Sequence, residues 1–387
     1  MFEHLTAPRW DETFSSWMHR AALGNGGYIS LLRRSNHACA TEHRGRFADS
    51  GYYHDEPPVF SKDFDFEASL MRDVARDVSN LSSDSFKRIF SADQDLVVPW
   101  DYRCVYCPDC LENDVREVGY PCWRRSWCYG TSAYCVMHDK LLETMPRGEG
   151  IGHDRAWEAF KHWIRGSEVH QGRLGWFSPI GARYRNRLAL RVQRWMQSLA
   201  SKTHVVLPGT QDSVSAPPVK TAAHAIYSIL LRQQTRYATG GYAKTLVRAR
   251  RSALNALDKH LADRLKLGIY ESSPYERMCA LLLVGNIFGI ITPPETARLQ
   301  HLAKSANSQW PTDVRRIGQM AMTFKNPEEY VLIRSLFLSV DRSIMAHIGA
   351  FIEGMEKSTL SMREIRNSHA ARINAGIALW ERWLISP

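Results

Sequence analysis

The sequence predicts a mainly α-helical protein with a helical N-terminal region, a small cysteine-rich module and an all-α C-terminal domain. Three observations predict this architecture. Apolar residues recur every three or four positions through much of the chain, six of the eight cysteines fall between residues 104 and 135, and a Ser/Pro/Gly-rich stretch at 201–219 precedes the last helices. With 387 residues and 44% apolar content, the chain can form two or three domains with proper cores.

The N-terminal region, 1–100, is predicted to be helical. Apolar residues at helical spacing predict an amphipathic helix over 11–23, with Asp11 as its N-cap and Gly24 at its end. A short helix over 29–34 follows at once, so the two could form a DNA-reading helix-turn-helix or pack as a simple helical pair, and both interpretations stay open. The remaining segments are predicted to be a loop at 35–63, helices over 66–78 and 84–90, and a strand at 97–100.

The cysteine-rich module, predicted over 101–146, contains two close pairs of metal-ligating residue types. Cys107 and Cys110 form a C-x2-C pair, and Cys135 and His138 form a C-x2-H pair after 24 intervening residues. Two such pairs can place three thiolates and one imidazole at the corners of a tetrahedron, which is the ligand set of a closed structural Zn²⁺ site. The sequence therefore predicts a small zinc-ribbon-like module.

Two other roles for these cysteines fit the sequence less well. Disulfides suit secreted proteins, and the N-terminus shows no signal-peptide pattern. A redox C-x-x-C pair would lie at the start of a helix after a strand. Pro108 within the pair, and the otherwise unexplained Cys135 and His138, argue against that role.

The other cysteines are not expected to bind the metal. Cys104 also forms a C-x2-C pair with Cys107, but Pro108 favours the tight turn between Cys107 and Cys110. Buried apolar positions are predicted for Cys122, Cys128 and Cys279.

Two tryptophans and two arginines lie between the ligand pairs. Trp123 and Trp127 are expected to stabilise the module together with the metal, because so small a unit cannot bury enough apolar area alone. Arg124 and Arg125 are candidate nucleic-acid contacts through stacking or phosphate binding. The alternative, core tryptophans with flanking solvated arginines, stays open.

Connecting helices are predicted over 155–165 and 182–199, within the segment 147–200. Four arginines share much of one flank of the second helix. Because like charges at this spacing repel, an unneutralised row favours an anionic partner, although a solvated helix face is the simpler alternative. These candidate nucleic-acid contacts are Arg183, Arg187, Arg191 and Arg194.

The segment 201–219 is predicted to be a linker and domain boundary, and an all-α domain is predicted over 220–387. Helical spacing predicts eight helices in that domain, over 221–237, 243–267, 275–288, 294–306, 312–323, 327–338, 341–356 and 362–384. The second of these is basic, and its candidate nucleic-acid contacts are Lys244, Arg248, Arg250 and Arg251.

The charge distribution suggests a polyanionic partner. The formal net charge is +10, and residues 178–270 contain 16 Lys plus Arg but only three acidic residues, so the positive excess lies in the middle of the chain. No apolar run reaches the length of a membrane span, which predicts a cytoplasmic protein with no membrane partner. Nucleotide-binding glycine loops, zinc-protease and nucleophile-elbow motifs are missing from the sequence, and we expect no enzymatic activity.

The sequence resembles the TniQ/TnsD family of transposition proteins over about the first 145 residues. The cysteine module carries the more specific part, namely Cys-Pro-Asp-Cys-Leu at 107–111, Trp-Arg-Arg-Ser-Trp at 123–127, Cys-Val-Met-His at 135–138 and Leu-Leu at 141–142. The N-terminal part is similar through Pro8, Asp-Glu-Thr at 11–13, Ser-Ser-Trp at 15–17, Arg-Ala-Ala at 20–22 and Asn-Gly at 25–26. The family pattern has Ser where this chain has Thr13, a change that keeps the hydroxyl.

The resemblance implies a non-catalytic adaptor that selects transposition targets. Such proteins link a targeting module, either an RNA-guided CRISPR effector complex or target DNA, to the transposition ATPase regulator and the transposase. It also implies contact with DNA or RNA backbone, and it leaves a homodimer open. Some members have a second cysteine-rich ribbon, which is not expected here because no cysteine lies between Cys135 and Cys279.

Two other function classes stay open. A sequence-specific DNA-binding regulator would read DNA with the N-terminal helix pair. A cysteine-dependent hydrolase or nuclease would need a nucleophile and base outside the predicted metal site, with Cys122 or Cys128 as the candidates.

Overall fold

The computed structural model describes residues 7–24, 65–66, 83–146, 154–166, 181–235, 240–247, 260–305, 310–322, 324, 327–338 and 340–357. The chain divides into two compact units, Met1–Val169 and His170–Pro387. The described residues are mainly helical with a few short strands, as the sequence predicts. None of the helices in these ranges is both long and apolar enough to cross a membrane.

In the first unit, the described helices are short and surround the cysteine module. Strand β1 pairs antiparallel with β2, so that Val105 lies opposite Thr144 and Tyr106 opposite Glu143. The helices are α1 Phe14–Gly24, α2 Ser83–Phe90, α3 Pro108–Val118 and α4 Arg155–Ile164; the strands are β1 Val105–Tyr106 and β2 Glu143–Thr144; 3-10 turns lie at Trp100–Tyr102 and Arg125–Cys128.

An aromatic cluster fixes α1 against α2. Phe14 and Trp17 lie one turn apart on α1, and their rings are 5.2 Å and 5.5 Å from the ring of Phe90 on α2. All three side chains are buried. The spacing that predicts an amphipathic helix therefore also determines which face of α1 enters the core.

Helix α1 begins three residues later than the predicted N-cap. Asp11 has a positive φ of 59° and lies outside the helix. Its carboxylate accepts a 3.0 Å hydrogen bond from the backbone N–H of Ser126 instead. Thr13 precedes the helix, and its hydroxyl accepts a 3.4 Å hydrogen bond from the backbone N–H of Ser16, so the prediction of Asp11 as the cap was wrong.

The second unit is built around a buried helix, α9. Its N-terminus carries a capping box, in which Ser273 and Glu276 satisfy each other's backbone N–H groups. The helix is buried on nearly every face. The elements are α5 Ala182–Ser198, β3 His204–Val206, β4 Ser213–Ser215, α6 Ala216–Leu231, α7 Tyr242–Val247, α8 Leu261–Tyr270, α9 Pro274–Ile287, α10 Pro293–Ser305, α11 Val314–Ala321, α12 Pro327–Ser335 and α13 Arg342–Lys357.

Helices α11 and α13 cross at two glycines. A Cβ atom at Gly318 would lie 2.0 Å from the carbonyl oxygen of Phe351, and one at Gly354 would lie 2.0 Å from the carbonyl oxygen of Arg315. The two backbones therefore approach closely because neither glycine has a side chain.

Three predicted elements differ from the structure. At 201–219, predicted as a linker, β3 and β4 form an antiparallel hairpin and α6 begins at Ala216. The predicted helix over 243–267 is interrupted at His260, which has non-helical dihedral angles and is the N-cap residue of α8, while 248–259 lie outside the described residues. The predicted strand at 97–100 is an isolated bridge between Val97 and Tyr129 followed by a 3-10 turn.

Most other helices begin and end within a few residues of the predicted positions. The boundary between the units falls inside the predicted connecting segment 147–200, so α4 belongs to the first unit and α5 to the second. Several predictions lie outside the described residues: the helices over 29–34 and 362–384, the loop at 35–63 and nearly all of the helix over 66–78.

Candidate metal centre

The structure brings the four predicted ligands together. The ligand atoms of Cys107, Cys110, Cys135 and His138 all lie within 4.8 Å of one another. The Nδ1 atom of His138 is 3.5, 3.3 and 3.6 Å from the Sγ atoms of Cys107, Cys110 and Cys135 respectively. The Sγ atoms of Cys110 and Cys135 are 3.6 Å apart. This geometry is compatible with a bound metal ion.

The start of α3 positions the first ligand pair. Cys107 is the N-cap residue, with extended dihedral angles, and Pro108 occupies the first helical position, where its missing N–H and fixed φ are tolerated. Cys110 lies in the first helical turn, which brings its sulfur close to that of Cys107. Gly119 ends the helix in the left-handed conformation with φ of 77°.

A tight turn positions the second pair. The backbone N–H of Cys135 donates to the carbonyl of Lys140 at 2.8 Å, and the N–H of Asp139 donates to the carbonyl of Cys135 at 2.9 Å. Asp139 has a positive φ of 52°, which reverses the chain within a few residues. Cys135 and His138 therefore face the same point from one short loop.

Buried aromatic rings support the cluster. Trp123 and Trp127 pack edge to face with their ring centres 5.3 Å apart, and both belong to the core that contains the three cysteines. The three thiols are buried and the imidazole is half-buried. The Nε2 atom of His138 lies 3.2 Å from the side-chain amide nitrogen of Asn113, a contact that fixes the ring.

The three thiols of the cluster change one another's pKa values. Hydrogen bonds from Cys107 and Cys110 lower the pKa of Cys135, because they stabilise its thiolate. Hydrogen bonds to Cys107 and Cys135, together with burial, raise the pKa of Cys110. All three sulfurs could be ionised together only beside a compensating positive charge, such as a bound metal ion would supply.

Cys107 and Cys110 lie at the start of a helix that follows a strand, β1, which is also where a redox pair would lie. The interpretation as metal ligands rests instead on Cys135 and His138, which complete a four-ligand set around the same point.

The other described cysteines lie outside the cluster and form no disulfide. Cys122, Cys128 and Cys279 are fully buried, which confirms the prediction that they occupy core positions. Burial, followed by the nearby charge of Glu12, raises the pKa of Cys122, so this side chain is held as a neutral thiol rather than as a nucleophile.

A buried polar network, which was not predicted from the sequence, joins α1 to the module. The carboxylate of Glu12 accepts hydrogen bonds from the Arg20 guanidinium at 2.8 and 3.2 Å and from the Ser16 hydroxyl at 3.2 Å. The Ser16 oxygen in turn accepts a 2.9 Å bond from the backbone N–H of Trp123. The available signal was the four-residue spacing of Glu12, Ser16 and Arg20 within the helix predicted over 11–23, although Glu12 lies just before α1 in the structure.

Arg124 belongs to this network and not to an open surface. Its guanidinium pairs with the buried carboxylate of Asp114 and donates a 2.6 Å bond to the carbonyl of Trp10. Burial raises the pKa of Asp114, and the positive charge of Arg124 opposes that shift. The prediction that Arg124 contacts nucleic acid is therefore corrected. Arg125 is half-buried beside Asp11, and its role stays a prediction.

The four arginines of α5 that were predicted to contact nucleic acid, Arg183, Arg187, Arg191 and Arg194, are all exposed, but they differ in their partners. Arg191 donates to both carboxylate oxygens of Glu295, at 3.0 and 2.5 Å, and to the carbonyl of Ile290. Those hydrogen bonds lower the pKa of Glu295 to about 2. Arg191 is thus neutralised, whereas the guanidinium of Arg187 lies over the ring of Tyr184 at 5.4 Å.

The other predicted basic contacts are in and after α7. Lys244 is half-buried in the described part of that helix. Arg248, Arg250 and Arg251 lie outside the described residues.

No protein-family model, curated protein or solved structure matches this chain. The interpretation of the site therefore rests on its residues and their geometry.

Proposed function

We propose that Cys107, Cys110, Cys135 and His138 bind a structural Zn²⁺ ion. A tetrahedral site with Zn–S bonds of about 2.3 Å and a Zn–N bond of about 2.0 Å has edges of roughly 3.5 to 3.8 Å. The distances between the ligand atoms, 3.3 to 3.6 Å where they are closest, are near those values. A set of three sulfurs and one nitrogen also suits zinc and does not suit hard cations, which take oxygen ligands.

The surroundings of His138 support this assignment. Its Nδ1 atom faces the three sulfurs, so Nε2 would carry the proton when a metal is bound. The side-chain amide of Asn113 contacts Nε2 and can present its oxygen to that proton. Asn113 would then hold the imidazole in the metal-binding tautomer.

A four-ligand site of this kind supplies stability and no chemistry. Catalytic zinc keeps one position open for water or substrate, and here four protein ligands fill the sphere. The metal would connect α3 to the turn that carries Cys135 and His138, and thereby fix the platform to which α1 is hydrogen-bonded.

On this platform we propose a TniQ-like role, that of a non-catalytic adaptor for selecting transposition targets. One observation carries the proposal. The two segments that resemble the family are more than 100 residues apart in sequence, yet they interlock through Glu12, Ser16, Trp123 and Arg124 in one buried network. Two sequence segments that belong to one family pattern are expected to pack together in this way, because the buried polar groups of each segment are hydrogen-bonded by the other.

The partners follow from the resemblance. The adaptor would act in the cytoplasm, where it joins a targeting module to the transposition ATPase regulator. That module would be a CRISPR effector complex with its guide RNA, or the target DNA itself, and a homodimer is compatible with either arrangement. The positive excess of the central segment suits contact with a nucleic-acid backbone.

The test is affinity purification of the tagged full-length chain from cells that express the neighbouring genes. We expect the ATPase regulator to be recovered with the wild type and with Cys104→Ser, and to be lost with Cys107→Ser. Cys104 is the matched control, because it is a neighbouring cysteine outside the cluster. Enrichment of one motif from a random DNA pool, with no protein partner recovered, would instead identify a sequence-specific regulator.

A further inference from the structure

Helix α5 presents an unusually basic surface in the second unit. It contains five arginines and no acidic residue over 17 residues. Arg185 is buried, and the other four are exposed. Arg183 and Arg187 are four positions apart, so they lie about 6 Å apart along the helix and on the same face of it.

A second helix adds an arginine that the sequence pattern of α5 cannot show. The guanidinium of Arg298, on α10, lies over the Tyr184 ring at 4.4 Å, and that of Arg187 lies over the same ring at 5.4 Å. The start of α5 lies against α10, since a Cβ atom at Gly181, the N-cap residue of α5, would lie 2.7 Å from the side chain of Leu302. Both guanidinium groups are therefore held at the same aromatic ring by cation–π contacts.

The described acidic residues leave this pair uncompensated. Glu295 is occupied by Arg191, so the negative charge nearest in sequence to Arg298 is already neutralised. Among the described residues, no carboxylate pairs with Arg183, Arg187 or Arg298. Arg191 connects α5 to α10 through its ion pair with Glu295. The cations that we consider for a ligand are Arg183, Arg187 and Arg298.

We propose that Arg183, Arg187 and Arg298 form a phosphate-binding surface for the backbone of double-stranded DNA. Preorganised guanidinium groups fit phosphate oxygens, and binding without base contacts is independent of sequence. Single-stranded nucleic acid is disfavoured because neither aromatic ring of α5 is open for stacking. The ring of Tyr184 is in contact with the guanidinium groups of Arg187 and Arg298, and the ring centres of Trp195 and Phe288 are 5.2 Å apart. The choice of DNA rests on the proposed function, in which the target is a duplex.

The experiment is fluorescence anisotropy of the full-length chain with a random-sequence DNA duplex over a series of KCl concentrations. The triple variant Arg183→Gln, Arg187→Gln, Arg298→Gln should make the slope of log K against log salt shallower by about 2.7, since each phosphate contact contributes about 0.9. A matched control is Arg116→Gln, Arg316→Gln, Arg342→Gln, which removes the same charge from exposed positions elsewhere. The control should leave most of the slope intact.

A charge-retaining variant, Arg187→Lys with Arg298→Lys, separates folding from binding and should keep the slope. The proposal is overturned if the triple variant and the control lose the same slope, or if the slope does not change. It is also overturned if single-stranded DNA or duplex RNA binds as tightly as duplex DNA. Loss of partner recovery with an intact salt slope would contradict the adaptor role and leave this surface standing. Recovery of the partner together with an unchanged salt slope would contradict this surface and leave the adaptor role standing.

Discussion

The backbone N–H of Trp123 donates a 2.9 Å hydrogen bond to the side-chain hydroxyl of Ser16, 107 residues earlier in the chain. The backbone N–H of Thr13 donates to the carbonyl of Trp123 at 2.9 Å. Both backbone polar groups of Trp123, its N–H and its C=O, are therefore hydrogen-bonded to the segment around α1. Both contacts are buried. The cysteine module and α1 therefore form one structural unit.

Replacing Ser16 with Ala should destabilise the first unit by roughly 1 to 3 kcal/mol, because the buried N–H of Trp123 loses its acceptor. Urea unfolding followed by tryptophan fluorescence measures this change. Ser91→Ala, at an exposed position nearby, is the control and should lie within about 0.5 kcal/mol of wild type. Equal stability of Ser16→Ala and wild type would show that the hydrogen bond contributes nothing.

The metal ligands and most helices were predictable because their signals are local. Two ligand pairs with fixed short spacings specify tight turns, and helical periodicity is visible within one segment. The structure agrees for α4, α5 and α9 to within about a residue at each end.

The parts that sequence analysis missed depend on contacts between distant segments. Nothing near Arg124 indicates that Asp114 and the carbonyl of Trp10 would bury its guanidinium. The three-residue strands β3 and β4 are too short for their alternating exposure to stand out from a loop.

Loss of one proposed ligand should unfold the cysteine module. In Cys107→Ser the site loses a thiolate, and we expect loss of the bound metal and of several kcal/mol of metal-linked stability. Elemental analysis of the purified chain, with the thermal midpoint before and after chelation, measures both. Cys104→Ser should retain metal and midpoint. A wild type without metal, or a Cys107→Ser variant with an unchanged midpoint, would refute the zinc assignment.

The crossing of α11 and α13 should tolerate no side chain at Gly354. An alanine there places its Cβ 2.0 Å from the carbonyl oxygen of Arg315, so the helices must separate at a cost of about 1 to 3 kcal/mol or more. Gly349→Ala, in the same helix, meets no atom within 4 Å and should stabilise by roughly 0.5 to 1 kcal/mol. Thermal unfolding of the two variants should shift in opposite directions, and shifts in the same direction would contradict the close approach.

The contact between Arg191 and Glu295 should make stability depend on pH in the acid range. Hydrogen bonds from Arg191 lower the pKa of Glu295 from 4.5 to about 2. A depressed pKa in the folded state stabilises the protein above pH 4.5, and the contribution is lost as pH falls from 4.5 towards 2. Because Arg191 is more than a third exposed, solvent screening limits the effect to about 0.2 to 1 kcal/mol.

We therefore expect Glu295→Gln to be less stable than wild type at pH 6 and to approach it at pH 3, measured by urea unfolding in low salt. Glu328→Gln, which alters an exposed carboxylate, is the control and should follow the wild-type curve at both values. High salt should reduce the difference at pH 6, since it screens an exposed pair. A Glu295→Gln deficit of the same size at pH 3 and pH 6 would mean that Glu295 acts through packing and not through its charge.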